Sequence, residues 1–126
     1  MNENKQRLEH VLGASITGYT PNAIKFTGLS LNKVEELLAQ GCTTPTSYFN
    51  AAPTISQFID FGKRCANMGA VATFDGHAFY RDELDTVLDT ITVVGVKDLN
   101  FVGEFVKFTR GCDDIEVSSQ ELFAWD

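Results

Sequence analysis

The stretch AVATFDGHAFY, residues 70–80, decides how the fold is read. Two apolar runs flank Asp75-Gly76. A two-residue hairpin loop needs positive φ at its central positions, and Asp-Gly supplies that at low steric cost. The pair therefore predicts a β-hairpin over 70–80 with its turn at Asp75-Gly76. Helical spacing lies mostly before this stretch and strand-like spacing mostly after it. The hairpin marks where the sheet begins.

Upstream, Leu8, Val11 and Leu12 form one apolar stripe and predict a helix over 3–12, closed by Gly13. Alternation predicts short strands over 15–19 and 23–27, separated by Thr20-Pro21-Asn22. Ser30 is a good N-cap for a helix over 30–40 whose inward stripe is Leu31, Val34, Leu37 and Leu38. Residues 42–53 form a connector with two prolines that tucks Tyr48 and Phe49 against the core. Thr54 and Gln57 match a capping box and open the clearest helix, which runs to Gly69. Ile55, Phe58, Ile59, Cys65 and Met68 face inward on it. Gly62 lies on the same face, which predicts close approach of another backbone, because a mid-helix glycine costs about 1 kcal/mol relative to Ala.

Downstream, Leu84, Val87 and Leu88 have helical spacing and predict a short helix over 81–89. Residues 90–96, β-branched and nearly all apolar, read as a central strand. In 101–110, Phe101, Phe105 and Phe108 have helical spacing, but β-branched and aromatic residues dominate. Propensity favours a strand there. A further strand over 115–118 completes a C-terminal meander. The expected architecture is a two-layer α+β domain spanning 1–126: about three helices on one face of a mostly antiparallel sheet.

The chain has 126 residues and a formal net charge of −7. Six acids and six bases cancel in residues 1–80, while residues 81–126 carry eleven acids against four bases. An acidic balance disfavours direct binding to nucleic acid or to an anionic membrane. No apolar run approaches the roughly 18 residues that span a bilayer. The N-terminus, MNENKQRLEH, is polar and unlike a secretory signal, so the expectation is a soluble cytoplasmic protein. Cys42, Cys65 and Cys112 are odd in number and widely spaced, which fits reduced thiols better than disulfides or zinc.

Motif signals are thin. The common nucleotide, hydrolase and metalloprotease motifs are missing. Asp113, Asp114 and Glu116 resemble part of a calcium loop, but the spacing, the glycine and the final glutamate of that loop are lacking. Neither a metal nor a cofactor is expected. Cys65 and His77 would form a nucleophile pair only if the hairpin packed on the preceding helix, and no third orienting group accompanies them. Asp75, His77, Tyr80 and Cys65 are the candidate pocket residues; for Asp75, ordinary turn chemistry is the competing account.

Two functions fit. The first is a non-enzymatic interaction protein whose acidic half meets a basic protein surface through Asp82, Glu83, Asp85, Asp89, Asp113, Asp114 and Glu116. Solubility alone is the competing explanation for those acids. The second is a small-molecule binder or enzyme with a cavity between helices and sheet, laid out like the cone of nuclear transport factor-like domains; this rests on fold-level analogy. Pairing with a second copy as a homodimer is a further partner reading.

Overall fold

The structure is a computed structural model and describes residues 2–117 and 121–126. Four helices pack on one side of a six-stranded antiparallel sheet. The two-layer α+β expectation holds, with one helix more than predicted.

The chain opens with α1 (Asn2–Leu12), a short 3₁₀ turn, and the antiparallel pair β1 (Ile16–Tyr19) and β2 (Ala23–Ser30). Ser30 then caps α2 (Leu31–Ala39), its hydroxyl accepting from Lys33 N–H at 3.3 Å. Helix α3 (Ile55–Asn67) begins at the expected capping box: Thr54 Oγ1 accepts from Gln57 N–H, and Gln57 Oε1 accepts from Thr54 N–H. Two otherwise orphaned backbone donors are satisfied reciprocally. A Cβ at Gly62 would stand 3.0 Å from a Leu31 methyl and 3.3 Å from the Phe74 ring. Gly62 is therefore where α3 seats on α2 and the sheet, against side chains and not against a backbone. Met68 ends outside, exposed.

The central strands are β3 (Val71–Phe79) and β4 (Asp85–Val94), paired from Val71↔Val94 to Phe79↔Asp85. Asp75-Gly76 is not a turn. It lies in the middle of β3, and the chain reverses five residues later, across Tyr80–Leu84. The helix expected over 81–89 is likewise corrected, since β4 starts at Asp85. A β-bulge at Asp89, which has no partner between Asp75↔Thr90 and Gly76↔Leu88, interrupts the alternation that identifies a strand.

Residues 101–110, whose propensity favours a strand, are mostly helix, α4 (Leu99–Phe108). Asp98 caps it through Asn100 N–H at 2.9 Å. The deciding factor is Phe61 of α3, whose ring lies 5.1, 6.1 and 4.3 Å from those of Phe101, Phe105 and Phe108. Burying one aromatic stripe against another outweighs a β preference worth about 1 kcal/mol at most. The predicted meander becomes a hairpin of β5 (Asp114–Val117) and β6 (Glu121–Trp125); Ser118 and Gln120 lie outside the described residues. Strand order is β1-β2-β3-β4-β6-β5, so β1 and β5 are the edges.

The core sits between helices and sheet. Phe26, Phe58, Phe61, Phe74, Phe101 and Phe105 are fully buried there. Among the described residues no helix covers the opposite face. Part of it lies under the 42–53 connector, where Phe49 stacks on His77 instead of entering the core and Tyr48 is exposed. Among the described residues, no helix is long and apolar enough to cross a membrane.

Candidate functional site

Alternation along β3 sends Ala72, Phe74, Gly76 and Ala78 into the core and leaves Thr73, Asp75, His77 and Phe79 on the bare face. At Asp75-Gly76 both neighbouring strands are irregular. In β2 the register slips between Phe26 and Leu29, at Gly28 with φ +68°, and in β4 it slips at Asp89. Bulges bend strands and re-aim side chains. Here they press inward on a residue with no side chain: a Cβ on Gly76 would lie 2.1 Å from Val87 O. The same two bulges leave a polar depression of about 210 Å³ on the bare face, lined by Thr17, Lys25, Asp75, His77, Asp89 and Thr90.

Each group in the depression has a defined local role. Asp75 Oδ1 accepts from Gly28 N–H at 2.9 Å and so holds the β2 bulge. Burial pushes the Asp75 carboxyl above its ordinary value; the Gly28 N–H opposes this, and nearby Asp89 adds to the rise. Asp89 Oδ2 lies 3.3 Å from His77 Nδ1, and Asp89 Oδ1 accepts from the Thr90 hydroxyl at 2.7 Å. The imidazole lies between the Phe49 and Phe79 rings, with centroids 6.1 and 6.4 Å away. An aspartate that orients an imidazole is half of a general-base arrangement. Neither of the two nearest candidates completes it: the Thr90 hydroxyl is directed to Asp89, and Cys65 is fully buried on α3, on the helix side of the sheet. Burial raises the Cys65 thiol to about 11, far from an activated thiolate.

Of the pocket candidates, Asp75 and His77 therefore share one depression, and Cys65 does not reach it. Tyr80 is also elsewhere: its hydroxyl donates to Thr20 O at 3.0 Å and ties the end of β3 to the β1–β2 turn. Lys25, Phe49 and Thr90 belong to the site and were missed. A glycine inside a strand-like run, followed by a polar residue of the same strand, was the available signal.

The partner-contact acids fall into three places. Asp82 and Glu83 are exposed on the β3–β4 connection and, with Asp85, Phe79 and Arg81, line a second depression of about 320 Å³. Asp85 is partly structural, accepting from the hydroxyls of Thr43 at 3.3 Å and Ser47 at 2.7 Å. Asp113 precedes edge strand β5, where the exposed Asp114 and Glu116 stand beside Trp125 and Phe123. Register carries the rows inward, Asp114–Trp125–Thr90–Asp75 and Glu116–Phe123–Thr92–Thr73, so these acids, the two aromatics and the His77 depression share one face. Lys33–Glu36 lies within α2, Lys63–Glu35 and Arg64–Glu104 join helices, and on the sheet's bare face Asp89 pairs with His77. No group of three or more His, Cys, Asp or Glu among the described residues could hold a metal ion. Neither a protein-family model, nor a curated protein, nor a solved structure matches this chain.

Proposed function

We propose that this is a non-enzymatic interaction protein whose bare sheet face binds a partner with a basic surface. One observation carries the reading: Asp82, Glu83, Asp85, Asp113, Asp114 and Glu116 have no cationic partner among the described residues, while Glu35, Glu36 and Glu104 on the helices are each ion-paired. Unrelieved like charge costs stability and serves association by steering and orienting an oppositely charged partner. Aromatic side chains at the same surface supply apolar contact area. Phe79 and Trp125 are 38% and 43% exposed, and Phe123 is half-buried opposite Glu116. Rings of this kind, ringed by charge, are the usual anchors of an interface.

The test uses a synthetic lysine- and arginine-rich peptide as the probe. Binding measured by fluorescence anisotropy weakens with added salt. It also weakens in the triple variant Asp113→Asn, Asp114→Asn, Glu116→Gln, and Trp125→Ala loses affinity at fixed charge. Binding that ignores both salt and the triple change removes the reading.

A further inference from the structure

The depression beside Asp75 and His77 holds two opposite charges that do not meet. Lys25 is directly across from His77 in the β2–β3 ladder, is exposed, and makes no ion pair among the described residues. Asp75 uses Oδ1 on the Gly28 N–H, and its other oxygen has no hydrogen-bond partner among the described residues. His77 and Thr90 are both committed to Asp89, which fixes the far wall. The concavity is built by two bulges and by a glycine that admits no substituent, a kind of irregularity that is over-represented next to functional sites.

Ligand chemistry follows by elimination. A simple cation would satisfy Asp75 but would sit near the Lys25 ammonium. A simple anion would satisfy Lys25 but face Asp75 and Asp89. A neutral molecule would leave both charges unmatched. The volume, about 210 Å³, is below the range of roughly 300–1,000 Å³ that holds drug-sized ligands. We propose that this depression binds a small zwitterion of the α-amino-acid class, its ammonium on Asp75 and its carboxylate on Lys25. The depression is a second function of the same face and does not depend on the basic-partner reading. The rise in the Asp75 carboxyl fits the assignment, because an arriving ammonium offsets both its burial and the neighbouring Asp89.

The experiment is a titration of the isotope-labelled chain with free α-amino acids, followed by nuclear magnetic resonance at the Gly28, Gly76 and Lys25 backbone amides. Methylammonium and acetate serve as single-charge controls. At least one amino acid should give saturable shifts at these amides, and neither control should. Asp75→Asn and Lys25→Met should each weaken binding about tenfold or more, the scale of one charge-assisted contact. Lys25 is exposed, so its variant keeps the fold and carries the test if Asp75→Asn does not. The Asp114→Asn, Glu116→Gln variant should bind the amino acid unchanged, which separates this site from the acidic edge. No saturable shift with any amino acid, an equal response to either control, or undiminished binding by Lys25→Met overturns the proposal.

Discussion

The two faces of the sheet are made from alternate residues of the same strands, yet they follow opposite rules. On the helix side, β3 presents Ala72, Phe74, Gly76 and Ala78, and a Phe-rich core closes over them. On the bare side it presents Thr73, Asp75, His77 and Phe79, and the neighbouring strands add carboxylates. One face concentrates apolar burial, and Glu35, Glu36 and Glu104 on its helices are ion-paired. The other holds Lys25, Asp114 and Glu116 with no ion pair among the described residues, and Asp75 and His77 half-buried. A fold held by one dry face can carry costs on the other, and those costs are where recognition residues are expected.

The largest test of this contrast is a pair of aromatic truncations. Phe61→Ala removes a ring that touches three others on the helix side and should cost about 3–5 kcal/mol. Trp125→Ala on the bare side should cost less than about 1 kcal/mol, because the ring is 43% exposed. Urea denaturation of both variants gives the comparison. Equal losses would mean that the bare face is itself covered core.

Gly76 stands at the join of the two faces and comes next in size. Gly76→Ala should cost about 3 kcal/mol, since the new methyl would meet the β4 backbone at Val87 O. Gly76→Asn discriminates further. Asparagine tolerates a positive-φ turn and would be accepted at a hairpin tip. In mid-strand it should be at least as harmful as alanine. A mild Gly76→Asn beside a severe Gly76→Ala would restore the turn.

That glycine also shows what was legible in the sequence. Thr54–Gln57 is legible because a capping box is wholly local: four residues, two backbone donors, no tertiary partner. The stripes of α1 and α2 were legible for the same reason. Asp75-Gly76 carries an equally strong local signal, and a tertiary demand overrode it, the need for a side-chain-free residue under two bulges. The bulge at Asp89 also hid the start of β4, where Leu84, Val87 and Leu88 imitate helical spacing. Residues 101–108 were misread because their strand propensity was visible and their partner, Phe61, lay forty residues away in the chain. Half of the site was legible, in Asp75 and His77. Lys25 and Thr90 come from other strands, and nothing near either one announces the pairing.

The capping box supplies the third test. Thr54→Ala should lose about 1 kcal/mol, less than either core change, and should destabilise α3 without moving the sheet. Amide hydrogen exchange would report faster opening in the first turn of α3 with protection in β3 and β4 unchanged. Uniform loss of protection across both would show that the helix start and the sheet form one cooperative unit.

The smallest effect has the most specific sign. The Asp75 carboxyl is raised by burial and by Asp89, so the folded state disfavours its charged form. The contribution of this group to stability is complete below the pKa of the unfolded chain, about 3.9 for Asp, and is lost as the pH rises through the higher folded value. At neutral pH the native chain therefore carries a penalty that Asp75→Asn lacks, and the asparagine oxygen can still accept from Gly28 N–H. Asp75→Asn should melt a degree or two above the parent at pH 7 and together with it at pH 3. A lower melting temperature at pH 7 would mean that the carboxylate holds the β2 bulge in a way the amide cannot. A gain that persisted at pH 3 would owe nothing to charge. The expected convergence at low pH would show that charging Asp75 costs the fold stability, a cost that an arriving ammonium would offset.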